Sequence, residues 1–421
     1  MLDLKAIREN PEEFKRKLER KSVSSSLIDE LLIADKSSLE LNKKAEELKA
    51  EQNKASKLIP TLTGDEKAKI LEEMKEISSA QKKAQEQANE ASEKVKSILE
   101  GLPNPPRDEV PFGNDDAENK ILRIEGEKPN FSFTPKEHWE IAEQNNLLDM
   151  EQAAKVSGSR FYYLKNELAL LQQALMMWAF RKVSDKGFSA TIPPFMTRKE
   201  AIYGTGYLEK GENYIVNPGE DDLYLIGTSE VPMVSIHAGQ VIDLDNGPLK
   251  YCSYSPCFRR EAGSYGKDTK GILRVHQFEK IEMVVFCKPE QATEIHETIR
   301  EVEEEILQDL KIPYQVMDIC TGDLGCSASK KYDLEAWLPG QNQYREMTST
   351  SIADDYQSRR LDIRYKDKNG KLQYACVLNG TAVSSRPLIA ILENFQNEDG
   401  SVDIPECLQQ FCGFAKIEAK K

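Results

Sequence analysis

What this 421-residue chain lacks narrows it quickly. No apolar run reaches roughly 18 residues, the length needed to cross a bilayer. The opening MLDLKAIRENPEEFKRKLERK is charged throughout, so neither a membrane anchor nor a secretion signal is expected. There are only four histidines, and none of the eight cysteines falls in a C-x-x-C pair. The closest spacings are Cys252/Cys257, Cys320/Cys326 and Cys407/Cys412. Those gaps argue against a structural zinc site and against a disulfide framework, leaving buried reduced thiols in a cytoplasmic protein as the expectation. Neither G-x-G-x-x-G nor G-x-x-x-x-G-K-[ST] occurs, which removes support for Rossmann and P-loop nucleotide binding. Excess positive charge is missing too. A formal net charge of −14 argues against nonspecific attraction to DNA or any other polyanion, so RNA binding would need local basic patches.

From about Leu27 to Leu102 aromatics are absent, and Lys, Glu, Gln, Ala and Ser dominate. Here a three/four spacing emerges. One seam runs through Leu31, Ala34, Ser38, Leu41, Ala45, Leu48, Gln52, Ala55 and Ile59. A second runs through Ile70, Met74, Ile77, Gln81, Ala84, Ala88, Ala91, Val95 and Ile98. This is coiled-coil periodicity. The turn-rich Pro60–Asp65 lies midway between seams of equal length, which favours an intramolecular antiparallel hairpin over an oligomerising coil. Each arm would reach roughly 45–50 Å at about 1.5 Å per residue. The outward lysines alone do not identify an RNA surface, because acidic residues are at least as frequent.

Residues 1–103 therefore read as a helical domain, and the Pro/Asp/Asn-rich stretch 104–120 as a linker. Residues 121–421 read as an α+β domain. A helix is expected over Asn166–Asp185. Strands are expected around Phe188–Ile192, Asp222–Ile226, Lys250–Phe258, Arg274–Phe286, Tyr314–Met317, Lys331–Trp337, Gln343–Thr348 and Leu372–Leu378, with a final helix at Arg386–Gln396. Strands with interspersed helices indicate an antiparallel sheet rather than regular βαβ alternation.

The densest chemistry lies in CFRREAGSYGKDTKGILRVHQFEKIEM, Cys257 to Met283. Arg259 and Glu261 lead into a Gly/Lys-rich loop, and the chain returns with Arg274, Phe278, Glu279 and Glu282. A hairpin with arginines, carboxylates and an aromatic ring has fork donors for phosphate and a flat face for a base. Taken singly, Arg259–Glu261 could be a surface ion pair and Phe278 ordinary core. Glu230 and Glu282 could be solvated strand ends, and His276 alternates with Gln277 on a strand without an evident acid–base role.

This hairpin resembles the signature element of class II aminoacyl-tRNA synthetases, in the form found in seryl-tRNA synthetases. Other segments match in order: the opening MLDLKAIRENPEEFKRKL, then Gly187-Phe188 through Pro194-Phe195-Met196 as a dimer-interface element, then Leu225-Ile226-Gly227-Thr228-Ser229-Glu230. Glu346-Met347-Thr348-Ser349, Asp355 through Arg360, Asn379-Gly380-Thr381 and Arg386 complete the pattern. The resemblance covers nearly the whole chain. It implies a class II catalytic domain preceded by an all-α coiled-coil arm, and a serine–tRNA ligase working through seryl-adenylate.

Carried over, the resemblance assigns Arg259 to the α-phosphate and the substrate carboxylate, and Glu261 to the adenine amine. Phe278 would lie beneath the adenine, with Arg386 above it reaching the γ-phosphate, and Arg274 near the terminal phosphates. Arg260, Met347 and Thr348 are counted with the ATP site. Glu346 and Ser349 would hold Mg²⁺. Glu230 and Thr228 would grip the serine ammonium, and Glu282 and Thr381 its hydroxyl; Ser229 is counted with the serine site. The implied partners are tRNA(Ser), embraced by the arm, and a second copy in a homodimer; family habit adds tRNA(Sec). Two departures stand out: EMTSTS places Thr348 where many relatives have serine, and NGTAVSSRP lacks the usual glycines and is one residue shorter. A non-catalytic tRNA-binding paralogue and an adenylate enzyme loading a carrier protein remain as alternative readings. Serine-dependent pyrophosphate exchange and tRNA charging separate them.

Overall fold

The computed structural model describes residues 1–61, 63–207, 222–261, 268 and 270–420. The chain divides into two compact units, Met1–Pro103 and Asn104–Lys421.

The first unit is helical. Helix α1 (Leu4–Glu9) is N-capped by the Asp3 carboxylate, which accepts from the Lys5 and Ala6 amides, and α2 (Pro11–Glu19) starts with proline where no amide donor is needed. Helices α3 (Ser26–Leu58) and α4 (Gly64–Gly101) form the arm. Ser38 meets Ser92 at 3.2 Å, and Ser56 meets Met74 at 3.6 Å. As one index rises the other falls by the same amount, so the helices run antiparallel. The buried and half-buried positions of α3 include Leu31, Ala34, Ser38, Leu41, Ala45, Leu48, Gln52 and Ala55, the seam read from the sequence. At mid-arm the core is Ala45, Ala84 and Ala88, flanked by Leu41 and Leu48. Alanines bring the helices close but each buries little area, so this seam contributes little per turn. Near the base, Arg8 binds Asp35 through two hydrogen bonds of 2.6 and 2.7 Å, tying α1 to α3.

The second unit is built on an eight-stranded sheet. Its strands are β1 (Lys120–Glu125), β2 (Ser189–Thr191), β3 (Leu249–Phe258), β4 (Gln277–Cys287), β5 (Tyr314–Asp318), β6 (Lys330–Leu338), β7 (Gln343–Asp354) and β8 (Cys376–Ser384). Their spatial order is β1-β5-β6-β7-β8-β4-β3-β2, antiparallel except where β2 joins β3. Helices α5 (Asn166–Asp185), α6 (Ala292–Asp309) and α7 (Pro387–Asn394) pack into one large apolar core with Ile281, Met283 and Val285 of β4 and Leu378 of β8. Period-two alternation thus sends the odd positions of β4 under the helices and leaves Phe278, Lys280 and Glu282 on the other face. Further along β4, that other face turns apolar, where Val284 and Phe286 join Val234, Ala353 and Val377.

The α+β reading holds, with local differences. Strand β7 continues to Asp354 because Thr350–Asp354 pairs with β8. The expected strand at Leu372–Leu378 divides into Leu372–Tyr374 and β8, and helix Glu406–Cys412 follows the helix expected to be last. The proline-rich stretch after Gly101 is fastened at its start: the Asn104 amide donates to the Ser327 and Ala353 carbonyls at 2.9 Å each.

Candidate active site

The open face of the sheet gathers polar side chains that a protein interior ordinarily avoids. At the centre is the β4 row of Phe278, Lys280 and Glu282. Register places Thr381 of β8 on one side of Glu282 and Ser253 of β3 on the other. Thr381 donates to Glu282 Oε2 at 3.3 Å, and Lys280 forms an ion pair with the same oxygen. The neighbouring Gly380 lets α6 approach the back of β8: a Cβ there would stand 2.4 Å from Ile299 and 2.7 Å from Glu303 of α6.

A second carboxylate, Glu230, opens the short helix Glu230–Ser235. It is 3 % exposed, and its oxygens accept from the Tyr207 hydroxyl at 2.6 Å and the Gln357 amide at 2.7 Å. Burial, then the charge of Glu282, pushes Glu230 above the usual carboxylate range, against Tyr207, Gln357 and Lys280. Thr228 Oγ1 accepts from Lys280 Nζ at 2.7 Å and from the Glu230 amide at 3.2 Å. Ser229 is buried and accepts from Ser253.

Arg259 follows the end of β3. Its Nε donates to the Gly227 carbonyl at 3.0 Å, and its guanidinium lies 5.0 Å from the centroid of the Phe278 ring. Its backbone amide donates to the His276 carbonyl, extending the hairpin ladder. Glu261 adopts a left-handed backbone, φ 49°, and accepts from Arg274 at 3.2 Å. Arg274 and Arg345 both face Asp268, at 3.6 and 2.5 Å. Arg260 is exposed. The remainder of the expected polar loop, 262–267 and 269, lies outside the described residues.

Across the sheet, Arg386 at the start of α7 donates to the Glu346 carbonyl at 2.9 Å and pairs with its carboxylate at 3.2 Å. Burial opposes ionisation of Glu346, yet Arg386 and Lys331, with Arg259 contributing, hold it down to about 2. Arg259 and Arg386 therefore act on one carboxylate. Met347 is an extra residue in β7, a bulge that pairs Thr348 with Leu334 but Glu346 with Glu335. The bulge shifts the alternation, putting Ser349 rather than Thr348 on the side of Glu346. Thr348 instead donates to Glu303 of α6 at 3.0 Å, and Met347 sits in the helix-side core. The side chains of these two residues thus face away from the open surface. Opposite Ser349 stands Asp333, 7 % exposed, with Oδ2 on Lys331 at 2.9 Å and Oδ1 without a hydrogen-bond partner among the described residues. Burial and Glu346, against Lys331, lift Asp333 to about 6.

Comparisons with known proteins match along the whole chain. Residues 1–106 match the seryl-tRNA synthetase N-terminal domain, and residues 212–395 match the tRNA synthetase class II core domain (G, H, P, S and T). A serine–tRNA ligase of Corynebacterium glutamicum is 44 % identical over 98 % of this chain and 97 % of its own. The chain belongs to the seryl-tRNA synthetase family. Among solved members, the seryl-tRNA synthetase of Pyrococcus horikoshii complexed with ATP superposes with a TM-score of 0.93 at 40 % identity, covering both chains fully. The cytoplasmic serine–tRNA ligase of Naegleria fowleri in complex with AMP gives 0.88 at 32 %, covering all of this chain and 99 % of its own.

The residues that reasoning from sequence overlooked are Lys280, Tyr207, Gln357, Asp333 and Lys331. Lys280 had a signal: in F-E-K-I-E it shares the face of Phe278 and Glu282. Tyr207 had none, and Gln357 had only its place in the Asp355–Arg360 segment, since the fold alone brings them to Glu230.

Proposed function

We propose that the open sheet face activates L-serine with ATP and then passes the seryl group to the 3′ end of tRNA(Ser). The observation carrying this reading is that Arg259, Arg386 and Glu346 share one face with the Thr228–Glu230–Glu282 cluster. The chain is an ATP-dependent ligase of class II type, and the roles of its residues follow from charge and position.

The serine ammonium goes to Glu230, which tyrosine and amide donors already fix in place. The hydroxyl goes to Glu282 and Thr381. The carboxylate goes to Arg259, whose planar fork also suits a phosphate. The carboxylate oxygen attacks the α-phosphorus, the bond to the β-phosphate oxygen breaks, and pyrophosphate leaves. No covalent nucleophile on the protein is needed. Catalysis is positioning plus neutralisation of charge by Arg259 and Arg386. Phe278 offers its ring to the adenine and Glu261 accepts from the adenine amine, with Arg274 toward the terminal phosphates. The terminal adenosine hydroxyl of the tRNA next attacks the activated carbonyl, releasing AMP.

Glu346, Ser349 and the unpartnered, buried Oδ1 of Asp333 form a hard oxygen donor set that fits Mg²⁺. When bound, the ion would offset phosphate charge. No group of three or more His, Cys, Asp or Glu side chains arranged to hold a metal by themselves occurs among the described residues. We assign the α3–α4 hairpin to the long variable arm of the tRNA, and the exposed apolar positions Leu170 and Met177 of α5 to a homodimer contact. No helix among the described residues is long and apolar enough to cross a membrane; a cytoplasmic setting completes the proposal.

The test is serine-dependent ATP–pyrophosphate exchange, followed by charging of a tRNA with a long variable arm. Both activities are expected. Exchange without charging would favour a carrier-loading enzyme, and absence of both would favour a non-catalytic paralogue.

A further inference from the structure

A lysine is an unusual occupant of an amino-acid pocket that must itself receive an ammonium group. Lys280 is 5 % exposed, beside Glu282 at 2 %, Thr228 at 2 % and Glu230 at 3 %. Its stem cannot reach bulk water from there, and its ammonium is committed to Glu282 and Thr228. We propose that Lys280 is a specificity-determining residue of the serine pocket, fixing Glu282 and Thr228 so that the pocket favours a side chain that donates a hydrogen bond. The proposal rests on the serine-activation reading above.

The argument follows from counting donors and acceptors. Lys280 and Thr381 both approach Oε2 of Glu282, while Oε1 takes no hydrogen bond from the described residues. A carboxylate paired with a lysine has acceptors only, so Oε1 calls for an O–H or N–H donor. Serine supplies one. Alanine would leave that acceptor without a donor from the substrate, the situation in which discrimination is strongest. The lysine also changes Thr228. With Lys280 and the Glu230 amide both donating to Oγ1, the remaining capacity of that hydroxyl is its own hydrogen. Thr228 therefore acts toward substrate as a donor, and the ammonium is left to Glu230.

Charge gives a second reason. Two buried carboxylates, Glu230 and Glu282, are close enough that Glu282 pushes Glu230 upward, while Lys280 opposes that push. A zwitterionic substrate adds no net charge, so the pocket needs an internal cation besides Arg259. Carboxylates buried without a counter-ion are costly. Lys280 is that counter-ion, and it offsets the pair without occupying the place of the substrate ammonium.

The experiment compares kcat/KM in pyrophosphate exchange for serine, alanine, cysteine and threonine. The proteins are the wild-type chain, Lys280→Met, Lys280→Arg and the double variant Lys280→Met/Glu282→Gln. The double variant removes the unpaired buried charge, so it tests the pocket even if Lys280→Met folds poorly. The expected result is a serine-to-alanine ratio at least tenfold lower in Lys280→Met and in the double variant. Most of the change should lie in the KM for serine, the KM for ATP should hold, and Lys280→Arg should restore part of the ratio. A ratio within twofold of wild type in the double variant overturns the proposal, as does an equal loss for all four amino acids. Wild-type chain without serine-dependent exchange overturns the activity reading itself, and the role of Lys280 with it.

Discussion

The arm and the open sheet face solve opposite problems. The arm is a repeating seam in which each turn does the same small job, with alanines at its centre and polar residues such as Ser38, Asn42 and Ser92 bonded across it. The sheet face repeats nothing: Glu230, Lys280, Glu282, Asp333 and Glu346 each have a distinct set of partners, and the first four are buried, which would penalise any one of them alone. Periodicity can specify the first from local sequence. The second exists only because a large helix-backed core holds eight strands in register.

That contrast can be broken or sharpened by experiment. The largest effect is expected at Arg259, where Arg259→Ala should lower pyrophosphate exchange by about a thousandfold while the far-UV circular dichroism stays unchanged. Near-normal exchange would remove this residue from the chemistry. Next, replacing Leu27–Leu102 by a short link should spare exchange within about twofold and reduce tRNA charging by about a hundredfold, the equivalent of roughly 3 kcal/mol of binding. Equal charging with and without the arm would show that it does not read tRNA.

Smaller effects separate the two regions by stability. Ala88 is fully buried in the seam, so Ala88→Leu should destabilise the arm by about 1–3 kcal/mol through overpacking. Faster amide exchange in α3 and α4 with unaltered pyrophosphate exchange is the expected pair of readings. The smallest effect is a pH dependence in the second unit. His296 is 1 % exposed and its Nε2 donates to the Thr350 carbonyl at 3.1 Å, and burial lowers its pKa to about 4. Because its folded value lies below the unfolded one, its contribution is complete above about pH 6.5 and is lost as pH falls toward 4. Stability measured by denaturant should drop by about 1 kcal/mol from this group between pH 7 and 5.5. His296→Gln should flatten that part of the profile; an unchanged slope would assign it elsewhere.

The sequence made the arm readable nearly residue by residue, because a coiled coil shows its buried face at fixed intervals. It also placed most strands of the sheet, since alternation survives in β3 and β6 and β4 carries the continuous apolar run Met283–Cys287. The site was harder. Arg259, Phe278 and Glu282 stood out through a known hairpin pattern, whereas Tyr207 and Gln357 lie 23 and 127 positions from Glu230 and nothing local ties either of them to it. Thr348 shows a different difficulty. Its neighbours suggest the open face, but one extra residue at Met347 reverses the phase, and no composition or propensity announces a bulge.

The matched indices of the arm, 38 with 92 and 56 with 74, carry one more consequence. Because every residue gained on the outgoing helix must be answered by one on the returning helix, its length can change only in balanced steps. Seven added to each side would move the tip by about 10 Å without disturbing a single cross-strand pairing in the sheet. The hairpin is a ruler whose graduations are set by helical turns, adjustable by insertion while the chemistry keeps its zero.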